Sequence, residues 1–121
     1  MSESSDTGDK ILSEAAITQL RELGDGDDLL IEIIGLFQDE TPRRLDGMAS
    51  AIASGNCEEL ARIAHSLKSS SANIGAVKLY AICIEIESIS RAGGMDGMAK
   101  AVATARMEYQ SATDALDDLV R

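Results

Sequence analysis

Apolar residues recur along this chain every three or four positions, a spacing that predicts helices joined by short polar breaks. A first short helix is expected over 13–23, with Ser13 as N-cap and Ile17, Leu20 and Leu23 free to pack. "GDGDD" then interrupts the pattern. Leu30, Ile33, Ile34, Phe37, Leu45, Met48 and Ile52 form the next stripe, and it stays in phase across Pro42. Either one kinked helix or two nearly collinear ones would do this, the second beginning with Thr41 as cap and Pro42 in its first turn. "SGN" at 54–56 reads as a stop and a start: Gly55 can turn left-handed, Asn56 can cap, and Glu59 completes a capping-box pattern. A third helix runs from there to about Asn73, before Gly75. A fourth spans about 76–91, with Leu79, Ile82, Cys83 and Ile86 inward. After "AGGMDG", a last helix places Met98, Ala101, Val102, Ala105, Tyr109, Ala112, Leu116 and Leu119 on one stripe.

Short loops between long amphipathic helices predict an all-α, antiparallel up-down bundle. A chain of 121 residues with 45% hydrophobic residues suits one domain, with no internal repeat. Its core must be aliphatic, because the chain has one Phe, two Tyr and no Trp. The first twelve residues are polar and acidic, without the apolar run of a secretory signal, and are expected to be a disordered tail before a domain at 13–121. Cys57 and Cys83 lack metal or redox spacing and read as reduced thiols. A cytoplasmic location follows by default.

The net charge of −10 argues against nucleic acid, and no basic amphipathic helix or long apolar run suggests a membrane. The charge is uneven: residues 1–40 carry −9, residues 41–80 carry +2 and residues 81–121 carry −3. The one basic third contains the only histidine, His65.

On a helical wheel, Leu60, Ile63, Ala64, Leu67, Ser71 and Ile74 fall within roughly 60° of the core direction, whereas His65 lies about 140° from Leu60. Its neighbours on that face are Ala61, Arg62, Lys68 and Ser69, with Ala72 a turn further on. Small side chains leave the ring open to another protein, and Lys68 stands close enough to address a group attached to it. A core histidine is disfavoured by the wheel. A metal site lacks a second strong ligand, so no metal is expected. A serine hydrolase would need a buried orienting carboxylate and an oxyanion site, and the sequence supplies neither. A plain surface histidine remains open on pattern alone.

"AHSLKSSSANIGA" at 64–76 resembles the signature of histidine-containing phosphotransfer (HPt) domains, and the flanking "LLIEIIGLFQDETPRRLDGMASAIASGN" and "LYAICIEIESISRAGG" are similar to the helices around it. The resemblance covers roughly residues 13–119. It implies a four-helix bundle with an accessory N-terminal helix. It also implies that His65 accepts a phosphoryl group from a receiver-domain phospho-aspartate and passes it to another receiver, with Lys68 steadying the phosphate. Gly75 and Ala76 match the turn that follows. Where the family usually has Gly after the Lys, this chain has Ser69, which narrows access or offers a hydroxyl donor.

An exposed neutral imidazole suits such chemistry, since one nitrogen can attack phosphorus in line with the leaving carboxylate. The chain has no P-loop, no Gly-rich nucleotide lid and no acidic cluster suited to Mg²⁺, so the partner is expected to bring the metal, and the domain is expected to carry phosphate without kinase activity of its own. The partners implied are receiver domains of a hybrid sensor kinase and a response regulator. Val77, Tyr80 and Ile84 form a second apolar stripe on the fourth helix, either packed on the N-terminal helix or docking a receiver. No long heptad seam demands a dimer, so a monomer is expected. Two other readings stand beside the relay: an adaptor that binds receivers without phosphate turnover, and the phosphoacceptor piece of a larger hybrid kinase.

Overall fold

The computed structural model describes residues 10–121; most of the expected polar tail lies outside the described residues. Five helices follow one another: α1 (Glu14–Leu23), α2 (Asp28–Ala53), α3 (Cys57–Ile74), α4 (Val77–Arg91) and α5 (Met98–Val120). Among the described residues there is no strand, only an isolated bridge between Leu12 and Ala76.

The stripe that crosses Pro42 belongs to one unbroken helix of 26 residues, so Thr41 is a buried interior residue and not a cap. Proline has no N–H, which leaves the carbonyl of Gln38, one turn earlier, without its helical donor. Tyr109 of α5 supplies one: its hydroxyl donates to that carbonyl at 3.3 Å. The Tyr109 ring also packs on Phe37, with centroids 5.4 Å apart. Burial raises the Tyr109 phenol above its usual range, which keeps it a neutral donor.

Helix ends follow local chemistry. Ser13 caps α1 by accepting from the Ala16 amide at 3.2 Å. Gly55 turns left-handed (φ 69°) after α2, and Asn56 caps α3 by accepting from the Glu59 amide at 3.0 Å. The expected capping box is only half formed. The Asn56 amide already donates to the Ala51 carbonyl at 2.8 Å, so the Glu59 carboxylate turns to Arg62, at 2.6 and 2.9 Å.

α2 packs against α3 and α5, and α4 packs against the same two, closing a four-helix ring; α1 lies outside it on α2 and α3. Leu30, Leu45, Met48, Leu60, Leu67, Leu79, Ile86 and Leu116 fill the centre without solvent exposure of note. Leu23 and Leu119, expected to pack, are exposed at helix ends, and Ile82 is only half-buried.

Ile11 and Leu12, ahead of α1, lie partly buried against the core. The Ser13 amide donates to the Gly75 carbonyl at 2.8 Å and the Val77 amide to the Ile11 carbonyl at 3.1 Å. Gly75 permits this join. Its φ is 81°, and a Cβ there would sit 3.0 Å from the Ala16 Cβ and 3.2 Å from the Ser13 carbonyl oxygen.

Candidate functional site

His65 projects from the middle of α3 with 55% of its side chain exposed. The apolar stripe of that helix fixes this direction, because Leu60, Ile63, Ala64, Leu67, Ser71 and Ile74 are all buried. The ring is not free on all sides. Its Nδ1 lies 2.9 Å from Oε2 of Glu87, on the facing turn of α4.

Glu87 is the hub of the site. Its side chain is only 10% exposed, yet it meets three cationic or ring nitrogens: Lys68 Nζ at 2.8 Å from Oε1, an Arg91 guanidinium nitrogen at 2.7 Å from Oε2, and His65 Nδ1. The hydrogen bond from Lys68 contributes most to lowering its carboxyl from 4.5 to about 2; those from Arg91 and His65 assist, and burial opposes them. The group is therefore ionised throughout the physiological range and can only accept.

Glu87 is absent from the sequence-predicted site. Its signal was the wheel position on α4, about 40° beyond buried Cys83 and on the rim of the apolar stripe. A carboxylate held on a buried face needs cationic partners; Arg91, four residues on, is one of them. Cys83 itself is buried, and desolvation pushes its thiol up to about 12, so it is inert packing.

Lys68, expected to address a group on the ring, rests on Glu87 beside it and is 27% exposed. Arg62 is exposed and held by Glu59. It lines a cleft of about 440 Å³ with His65, Ser66, Arg91, Asn56, Glu58 and Glu59, open beside the ring. Ser69 and Ala72 are exposed on the His65 face, as expected; Ala61 is not, because it is buried at the helix interface and does not border the ring's access. Val77, Tyr80 and Ile84 are 37%, 36% and 43% exposed, so packing on α1 does not bury them. Val77 and Tyr80 share a small apolar dimple of about 200 Å³ with Ala72. Ala72 lies about 10 Å along α3 from His65. Among the described residues, no group of three or more His, Cys, Asp or Glu side chains could hold a metal ion, and no helix is long and apolar enough to cross a membrane.

A closed antiparallel bundle that displays one anchored imidazole at mid-helix, beside cations and an open cleft, has the build of a phosphoryl carrier. The chain belongs to the histidine-containing phosphotransfer (Hpt) domain family, whose Hpt domain model matches residues 32–120, and it is a phosphorelay intermediate. The matched residues begin within α2 and include His65. In sequence the chain is 23% identical over 107 residues to histidine-containing phosphotransfer protein 2 of Arabidopsis thaliana, covering 84% of this chain and 69% of that protein. In fold it is similar to histidine-containing phosphotransfer protein B of Pseudomonas aeruginosa, with a TM-score of 0.84, 24% identity, and coverage of 91% of this chain and 94% of that one. The maize protein ZmHP2 superposes with a TM-score of 0.80 at 24% identity, covering 97% and 94%. Proteins of this family are phosphotransfer carriers that interact with receiver domains.

Proposed function

We propose that His65 is the phosphoacceptor of this Hpt domain, taking a phosphoryl group from the phospho-aspartate of one receiver domain and giving it to another. The observation that carries the reading is the ring itself: it is more than half exposed, it borders an open cleft, and its Nδ1 is anchored. The remaining nitrogen, Nε2, is the one left to meet phosphorus. Lys68 steadies the phosphoryl group, and Arg62 and Arg91, each paired with a carboxylate, line the cleft beside the ring. Ser69 is exposed one turn from the ring on the same helix face.

The chain works as a carrier and not as a kinase, with the receiver bringing Mg²⁺ and most of the charge stabilisation. Its partners are the receivers of a hybrid sensor kinase and of a response regulator; it acts as a cytoplasmic monomer. Val77, Tyr80 and Ile84 support docking of the receiver, since all three remain exposed on α4, the first two beside Ala72. Packing is antiparallel here, so Ile84 falls between the level of Glu87, which faces His65, and that of Tyr80, which faces Ala72.

The test is incubation with a panel of phosphorylated receivers. The expected product is a label that is lost in acid and kept in base, absent from His65→Gln. Ile84→Glu is expected to slow transfer while helicity is preserved. A label stable in acid, or one retained by His65→Gln, would contradict the reading, and binding of receivers without any label would favour the adaptor instead.

A further inference from the structure

We propose that Arg62 is a movable counter-charge: once His65 is phosphorylated, its guanidinium leaves Glu59 for the phosphoryl oxygens and lengthens the life of the phosphorylated chain. This rests on His65 being the acceptor. Glu59, Arg62 and His65 follow one another at intervals of three on α3, so Arg62 stands one turn from each. The cleft beside the ring opens on this side: Glu59, Arg62, His65, Ser66 and Arg91 line it, and Lys68 does not. Helical side chains lean toward the N-terminus of their helix, so a group carried by the ring lies over the turn that holds Arg62.

Three cations surround the ring, and they are held with unequal strength. Lys68 and Arg91 both rest on Glu87, whose side chain is 10% exposed. Withdrawing either one leaves a nearly buried carboxylate short of a partner, which is costly. Arg62 grips Glu59 through Nε at 2.9 Å and Nη2 at 2.6 Å. Both side chains are open to water, at 66% and 41% exposure, so water satisfies Glu59 when the arginine leaves and little is lost. A phosphoryl group offers three acceptor oxygens and more negative charge than a carboxylate, and the same fork of donors fits it. The exchange therefore runs toward phosphate. Its consequence is kinetic. In spontaneous loss of the label, a water oxygen bonds phosphorus as the P–N bond breaks; the electron pair returns to the ring nitrogen and both water protons stay with the released phosphate. In a loose, metaphosphate-like transition state the phosphoryl oxygens carry less negative charge than before. A guanidinium on those oxygens thus binds the phosphorylated ground state more tightly than the transition state, and slows the loss. A docked receiver competes for the same oxygens, and Glu59 stands a turn away to take Arg62 back.

The experiment phosphorylates the full chain with phosphoramidate, a small donor that needs no partner, and follows the phosphohistidine by ³¹P NMR after the donor is removed. Arg62→Ala is expected to shorten its half-life about two- to five-fold, the worth of an exposed ion pair. Glu59→Gln, which leaves Arg62 with no carboxylate to give up, is expected to hold the label at least as long as the wild type. A second readout is the ¹³C signal of the Glu59 carboxyl in the wild type. On phosphorylation it is expected to move to the position it has in Arg62→Ala, where its partner is gone. An unchanged or longer half-life in Arg62→Ala, a shorter one in Glu59→Gln, or a Glu59 signal that stays at its paired position would overturn the proposal. Should Arg62→Ala fail to fold, the half-life in Glu59→Gln and a Glu59→Gln reference for the unpaired Arg62 Nε–H signal decide: an Arg62 signal that moves off its paired position on phosphorylation of the wild type supports the exchange, and one that stays overturns it. These outcomes are all read with label on His65, so the exchange can fail while the acceptor stands. If His65→Gln is labelled as well as the wild type, the phosphoacceptor reading fails instead.

Discussion

At the residue scale the site is an exposed ring set on a nearly buried carboxylate, and the two halves have different readouts. Lys68→Ala is expected to slow phosphotransfer only a few-fold, since a partly exposed ion pair contributes roughly 0.2–1 kcal/mol; His65→Gln removes transfer altogether. Equal loss in both variants, measured as initial labelling rates, would contradict that division. Glu87 is also read through acid stability. Its carboxyl is lowered from 4.5 to about 2 in the folded chain, so its contribution is complete above about 4.5 and is lost as pH falls through the window toward 2. Denaturant midpoints measured across that window are expected to fall less steeply in Glu87→Gln than in the wild type. His65 and its outward direction were legible in the sequence, because six buried residues on α3 define the opposite face. Glu87 was only half legible there: its wheel position beside Cys83 marks a carboxylate on the rim of the buried stripe, but the pairing across two helices that puts residue 87 against residue 65 is not written in either helix's periodicity.

At the element scale, α2 shows how a helix is carried through a proline by a neighbour. Tyr109→Phe removes the hydroxyl that serves the Gln38 carbonyl and is expected to destabilise the fold by about 1 kcal/mol. Pro42→Ala restores a backbone donor to that carbonyl. The cost of Tyr109→Phe, followed by thermal or urea unfolding, is therefore expected to shrink in the Pro42→Ala background. Costs that simply add would contradict the link. The periodicity of α2 was readable from sequence, but the choice between one helix and two was not, because the compensating donor comes from α5. Gly75 makes a second case. Gly75→Ala is expected to destabilise by about 1–2 kcal/mol through its left-handed backbone alone, with a further penalty from contact with Ala16 and Ser13. Its local effect should be faster amide exchange in residues 11–13, which pair with the turn. The glycine as terminator was legible; the pairing of Ile11 and Ser13 with that turn was not.

At the scale of the whole molecule, the aliphatic stripes specify an up-down ring of four helices, and their remaining faces set its surface. Leu67, next to Lys68 on α3, is fully buried; Leu67→Ala is expected to destabilise by about 2–5 kcal/mol and to disturb transfer only through unfolding. The bundle also draws the site from two parts of a chain with a net charge of −10: the short turn from α3 to α4 brings Lys68, from the basic third, and Arg91, from the acidic last third, to one carboxylate beside His65. A relay demands that this site both accept and release. The most direct test is a two-step chase. The chain is labelled by one phosphorylated receiver, freed from it, and mixed with a second, unlabelled receiver and Mg²⁺. Loss of label from His65, matched by its appearance on an aspartate of the second receiver, is the predicted result. Label that stays on the chain, or leaves only as free phosphate, would contradict the account.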